Sequence, residues 1–213
     1  MVHQSDLSAE AVQSLATTGR SYTIARVISQ IFHPITLGTL SFFLVGLFAT
    51  PDWRDGMAWA LFCFIIQVAP ATVFFLVRLR QGVYSDEDIS VRQQRNELYI
   101  FTILTMVLGT VILIVMRAPL PFSVIIGCGA LLNTINWIIN MFWKISAHAT
   151  VAASFATIAL IYSPPLGAVL WVGALAVGWA RVRTRNHTPL QVLAGFSLPT
   201  LLILTMFSVV GLL

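Results

Sequence analysis

Seven apolar runs, near 24–49, 57–77, 98–116, 120–143, 146–162, 165–180 and 190–213, fill nearly the whole chain and leave few folds open to it. A helix crosses a bilayer with about 20 mainly apolar residues, and it does so because its backbone polar groups satisfy one another. The fifth and sixth runs are short and are separated only by Ser163, Pro164 and Pro165, so a tight helical hairpin is expected there. The count is therefore six or seven, with seven preferred. The 213 residues are 58% hydrophobic and 9% charged, which is the composition of a chain solvated mainly by lipid. The expected fold class is all-α, a polytopic transmembrane helical bundle of six to seven spans. It would comprise a polar N-terminal segment, 1–23, and a single membrane-embedded domain, 24–213. That first segment shows no apolar stretch ending in a small-residue cleavage site, so the first span is expected to stay in the protein.

The net charge of +4 raises the question of an anionic partner. No soluble segment carries a basic run with interleaved aromatics, which argues against nucleic acid and for lipid headgroups. Two spans separate the 78–97 loop from Lys144, and two more separate Ser146 from Arg181, so all three polar segments emerge on one face. Arg20, Arg26, Arg78, Arg80, Arg92, Arg95, Lys144, Arg181, Arg183 and Arg185 share that face, and only Arg54 and Arg117 lie opposite. By the charge count, this motif face would be the cytoplasmic side of a multi-pass protein of the cell membrane. Cys63 and Cys128 lie inside apolar runs and read as core hydrophobes.

The acidic residues are Asp6, Glu10, Asp52, Asp55, Asp86, Glu87, Asp88 and Glu97, with none beyond position 97. A prenyltransferase or alcohol-phosphate transferase that holds Mg²⁺ needs carboxylates on at least two helices, and only the cluster at 86–88 is available. The bland reading of Asp86, Glu87 and Asp88 is a solvated loop balancing neighbouring arginines. The histidines His3, His33, His148 and His187 show no ligand spacing on one helix, so no metal site is expected.

Three basic segments remain: Arg92 to Glu97, Trp143 to His148, and Ala180 to His187. Several cations and two histidines suit a phosphate ester, whose transfer needs neutralised oxygens, an in-line nucleophile and an acid for the leaving oxygen. Ser146 is placed to cap one helix, with His148 in its first turn. Thr188 is placed to cap another, with Pro189 at its first position and His187 just outside. Both histidines would then lie at helix N-termini, where free amides and the helix dipole favour anions.

These segments resemble the type 2 phosphatidic acid phosphatase (lipid phosphate phosphatase) superfamily. Its third motif, Ser-Arg-x5-His-x3-Asp, is matched by Ala180, Arg181, five residues, His187, three residues and Gln191. Its second, Pro-Ser-Gly-His, is matched by Ile145, Ser146, Ala147 and His148. Its first, Lys-x6-Arg-Pro, is poorly matched: Arg95 takes the arginine place, Asn96 stands for Pro and Asp88 for Lys. The resemblance implies that His187 is a nucleophile forming a phosphohistidine and that His148 protonates the leaving oxygen. Arg95 and Arg181 would hold phosphoryl oxygens with help from Ser146, and no metal or other cofactor is implied. Lys144, and Arg92 within its basic segment, join these substrate-binding candidates by position. The run HTPLQVLAG is similar to the dolichyl-diphosphatase branch and tilts the substrate towards polyprenyl diphosphates, with a phosphatidate-like monoester as the other option.

Gln191 stands where the family's Asp orients the nucleophile. It could accept the His187 Nδ1 proton, or Thr188 and Gln191 could simply form a capping box; both readings stay open. The missing Asp and degraded first motif also leave room for a catalytically silent relative that binds or moves anionic lipids. Asn133, Asn136 and Asn140 share a helix face and are expected to bond between helices. His33, before Pro34, reads as a buried histidine beside a kink, and Arg183 and Arg185 as interfacial.

Overall fold

In the computed structural model, residues 19–213 are described; most of the expected polar segment, with His3, Asp6 and Glu10, lies outside them. The described chain is helical: α1 Arg20–Ile31, α2 Pro34–Phe48, α3 Trp53–Cys63, α4 Ala69–Arg80, α5 Arg95–Val115, α6 Leu120–Phe142, α7 Ala147–Tyr162, α8 Pro164–Arg183 and α9 Pro189–Val209. Five uninterrupted spans are long and apolar enough to cross a membrane: Trp53–Arg80, Arg92–Val115, Leu120–Phe142, Pro164–Arg183 and Pro189–Val209. The pair α1 and α2, bent by 43°, passes the same test only when taken together, making up to six, and α7 is a shorter apolar helix of 16 residues.

The interruptions have local causes. Pro34 lacks an amide proton and its ring crowds the preceding turn, so α1 stops and His33 caps the new helix by accepting from the Ile35 N–H, 3.2 Å. Pro70 also removes an amide proton in the next span, but there the helix continues. Immediately before it, Phe64–Val68 widens into a π turn that absorbs the misfit. That turn buries Gln67, whose amide donates to Thr105 of α5 at 3.0 Å.

The bundle is apolar outside as well as inside: Val115, Phe142 and Val209 are each more than 75% exposed, as lipid-facing residues should be. Its centre is α7, which packs against α2, α8 and α9. Ala149, Ala152, Ala153, Ala156 and Ala159 are buried along it, and such small side chains let neighbouring helices approach closely. The hairpin expected at the prolines is present, with Ser163 alone between α7 and α8. Just beyond it, a Cβ on Gly167 would fall 2.2 Å from the Cα of Leu160, so only glycine fits. The asparagines of α6 divide. Asn140 bonds to the start of the Arg92 span, whereas Asn133 donates to its own helix at Gly129 and to Met106 of α5.

Candidate active site

Three chain segments far apart in sequence meet at one end of the bundle, where α7 and α9 begin, α8 ends and the 82–94 loop folds over. Ser146 caps α7 by accepting from the Ala149 N–H at 3.4 Å, which fixes buried His148 in the first turn. At the end of α8 the amides of Asn186 and His187 both return to the Arg181 carbonyl, at 3.2 Å, and Arg185 takes a positive φ of 59° to make this possible. The fold-back tucks His187 under the start of α9 until it is only 7% exposed.

At His187 both readings of Gln191 hold at once. Gln191 Oε1 accepts from the Thr188 N–H at 3.2 Å while Thr188 Oγ1 accepts from the Gln191 N–H at 3.3 Å, a complete capping box. The same oxygen lies 3.1 Å from His187 Nδ1. A backbone N–H can only donate, so the Gln191 atom facing Thr188 must be the carbonyl oxygen. His187 Nδ1 must then carry the proton, and Nε2 is left with its lone pair. Burial, reinforced by the cations of Lys144, Arg181 and Arg95, pulls the His187 pKa down to about 3. The ring is neutral at physiological pH, the state a nitrogen nucleophile requires.

The cations play different parts. Lys144 lies in the short link between α6 and α7, and its pKa is lowered by burial and then by Arg95 and Arg181. Arg181, 2% exposed, donates from NH1 to both Asp88 carboxylate oxygens at 3.1 and 3.2 Å, and among the described residues its Nε has no partner. Arg95 is buried with its guanidinium committed to backbone: Nε to the Ile89 carbonyl at 2.8 Å, NH1 to that of Ile145 at 3.2 Å, and NH2 to that of Asp88 at 3.3 Å. It ties the acidic loop to the α7 entry. Arg92 forms a reciprocal pair with α6 instead, donating to the Asn140 carbonyl at 2.8 Å. Its NH1 thus latches the start of the Arg92 span to α6. Glu97 is taken up by a two-point ion pair with Arg78.

Three residues join the site that motif reasoning left aside. Asp88 is not a solvated loop residue: besides Arg181 it accepts from Asn186 Nδ2 at 2.8 Å and lies 3.9 Å from His148 Nε2. Its signal was its place seven residues before Arg95, where the family motif has Lys. Asn186 precedes the nucleophile candidate and had no signal of its own. His33 caps α2 and sets its ring edge against His148, with centroids 5.7 Å apart. Asp86 does behave locally, its carboxylate accepting from the Asp88 and Ser90 amides to shape the loop. Among the described residues no three His, Cys, Asp or Glu side chains gather as metal ligands.

A cavity of about 370 Å³ opens beside this cluster, at His33, Asp88, Arg95 and His148, and continues between apolar side chains to Ile203 and Phe207. Along α7 its wall extends from His148 to Ile158, ten residues and so about 15 Å of helix.

The fold is that of a polytopic helical membrane bundle, with His, Arg and Lys side chains gathered at one end of it. The sequence model of the PAP2 superfamily matches residues 97–212, more than half of the chain, and the protein belongs to that superfamily. The match takes in His148, Arg181 and His187 and begins just after Arg95, so the stretch where the first motif is poor lies outside it. No curated protein and no solved structure gives a significant match. Membership supports phosphatase-type chemistry on phosphate esters.

Proposed function

We propose that this protein is a metal-independent lipid phosphatase whose nucleophile is His187. The observation that carries the reading is the His187–Gln191 hydrogen bond, which leaves a neutral ring with its Nε2 lone pair among cations. In the first step Nε2 attacks phosphorus, the P–O bond to the lipid breaks, and His148 as imidazolium gives its proton to the leaving oxygen. In the second step water attacks the phosphohistidine, its proton passes to the now neutral His148, and the P–N bond breaks to release phosphate. Arg181 and Lys144 neutralise the phosphoryl oxygens, and Ser146 keeps the α7 amides facing them.

The substrate is an amphiphile, a polyprenyl diphosphate or a phosphatidate-like monoester. The charged mouth suits its headgroup and the apolar cavity its tail. The charge count favours a cytoplasmic headgroup site in the cell membrane. The test is phosphate release in detergent from prenyl diphosphates, prenyl monophosphates and phosphatidate, with and without EDTA. The reading expects EDTA to have no effect and His187→Ala or His148→Ala to abolish release. Full activity in either variant, or strict Mg²⁺ dependence, refutes it.

A second reading, a silent relative that binds or moves anionic lipids, is favoured by one observation: Arg95 spends its guanidinium on backbone carbonyls and Asp88 brings a carboxylate to the site. Trapping a labelled phosphohistidine at position 187 would eliminate it.

A further inference from the structure

We infer that Asp88 is a positioning residue for Arg181, holding one part of its guanidinium so that the Nε edge is presented to the phosphoryl group. Arg181 is almost fully buried at the end of α8, yet among the described residues only NH1 is held, by the two oxygens of Asp88, and Nε has no partner. A buried guanidinium nitrogen left unpaired costs free energy unless a ligand supplies the acceptor. Phosphate is such a ligand, because its oxygens match the planar fork of Arg. The same carboxylate accepts from Asn186, the neighbour of His187, so it gathers both sides of the fold-back that carries the nucleophile.

A carboxylate among cations could instead be a resident anion that the substrate expels. The loop argues against that. The Asp88 amide donates to Asp86 at 2.9 Å, its carbonyl accepts from Arg95, and the next residue, Ile89, has a φ of 45° that is unfavourable for a β-branched side chain. Ile89 keeps this conformation because it is buried against Phe75 and Tyr84 and because Arg95 holds its carbonyl. Strained backbone persists only where its surroundings over-determine it. Here the surroundings fix Asp88 in place. Where the family motif supplies a cation, this chain spends the position on aiming one it already has.

The inference rests on the phosphatase reading for its kinetics, but not for its binding arm. Asp88→Asn keeps the size of the side chain while removing the charge and turning an NH₂ towards Arg181 or Asn186. The full-length protein in detergent is compared with Asp88→Asn and Asp88→Ala for orthovanadate binding by calorimetry, for kcat and KM, and for thermal unfolding. The expected result is vanadate binding weakened roughly 10- to 100-fold, the range for losing a charge-assisted hydrogen bond. A matching fall in kcat/KM and a melting temperature close to wild type should accompany it. Arg181→Lys should lose as much, and Asp88→Asn should then add little, because the residue to be aimed is gone. Tighter vanadate binding or faster turnover in Asp88→Asn overturns the inference and makes Asp88 a competing anion. Unchanged binding, or loss explained by unfolding in both variants, also overturns it. Vanadate binding that depends on Asp88 in a wild type without turnover would retain the inference while the phosphatase reading fell.

Discussion

Replacing Gln191 with Glu tests how this protein keeps its histidine neutral. The two side chains have the same length, so a Glu carboxylate can accept from the Thr188 N–H and from His187 Nδ1 as Gln191 does at 3.2 and 3.1 Å. What changes is a full negative charge beside the ring. Opposite unit charges roughly 4 Å apart attract by about 4 kcal/mol at an effective dielectric of ~20. At about 1.4 kcal/mol per pKa unit that is worth up to about three units. His187, which starts at about 3, would therefore titrate near 6 at most. The sign follows from which form the charge favours: Glu stabilises imidazolium, so the folded-state pKa rises towards the unfolded value of about 6.5. In the parent, stability contributed by the neutral ring is present above about 6.5 and is lost as pH falls towards about 3; in the variant that acid sensitivity shrinks. The assay is ¹⁵N chemical shifts of labelled histidine against pH, with His187→Gln to assign the resonance. The parent should show a proton on Nδ1 at pH 7 and stay neutral below pH 5, and the variant should protonate nearer 6. A parent ring that titrates at or above 6.5, or two proteins titrating alike, would refute the reasoning.

Other expectations follow from packing. Gly167→Ala forces a Cβ into the Leu160 backbone at 2.2 Å, so α7 and α8 must separate; thermal unfolding should show a loss of several kcal/mol, and a native melting temperature would contradict the packing. Gly195→Ala is milder, since its Cβ would stand 3.0 Å from the Ser146 carbonyl and the Ala149 Cβ, and it should shift the α7 entry by a few tenths of an ångström. A several-fold fall in kcat with little loss of stability is expected, and the reverse pattern counts against it. Arg95→Lys cannot serve three carbonyls at once and should destabilise the protein by about 2–4 kcal/mol in denaturant titration. An equally stable Arg95→Lys protein would show that the guanidinium is no staple.

The spans were legible because hydrocarbon allows so few backbone solutions, and the hairpin at Ser163 because Pro164 and Pro165 can start a helix but not continue one. Sequence alone did not foresee the π turn before Pro70: a proline announces a misfit, but the neighbours decide how it is absorbed. In the site, the caps at Ser146 and Thr188 were readable because capping depends on residues within one turn. The partners of Asp88 were not, because Arg181 lies 93 residues away and no local spacing encodes that pairing. Arg95 illustrates a different limit. Its place near the site was implied by its motif position, but whether it faced a ligand or the backbone depended on a loop whose path the sequence did not disclose.

The oxygen shared at Gln191 makes secondary structure and reactivity a single property of this protein. If the first turn of α9 frays, the Thr188 amide and the His187 ring lose their common acceptor together, and the imidazole is free to move its proton to Nε2, the nitrogen that attacks in the proposed mechanism. Under the proposed mechanism, order in one helical turn thus sets the fraction of molecules that are chemically armed. Position 191 must satisfy two masters: a side chain too short to reach the ring, or one that cannot accept two protons, would silence the protein while leaving its fold intact.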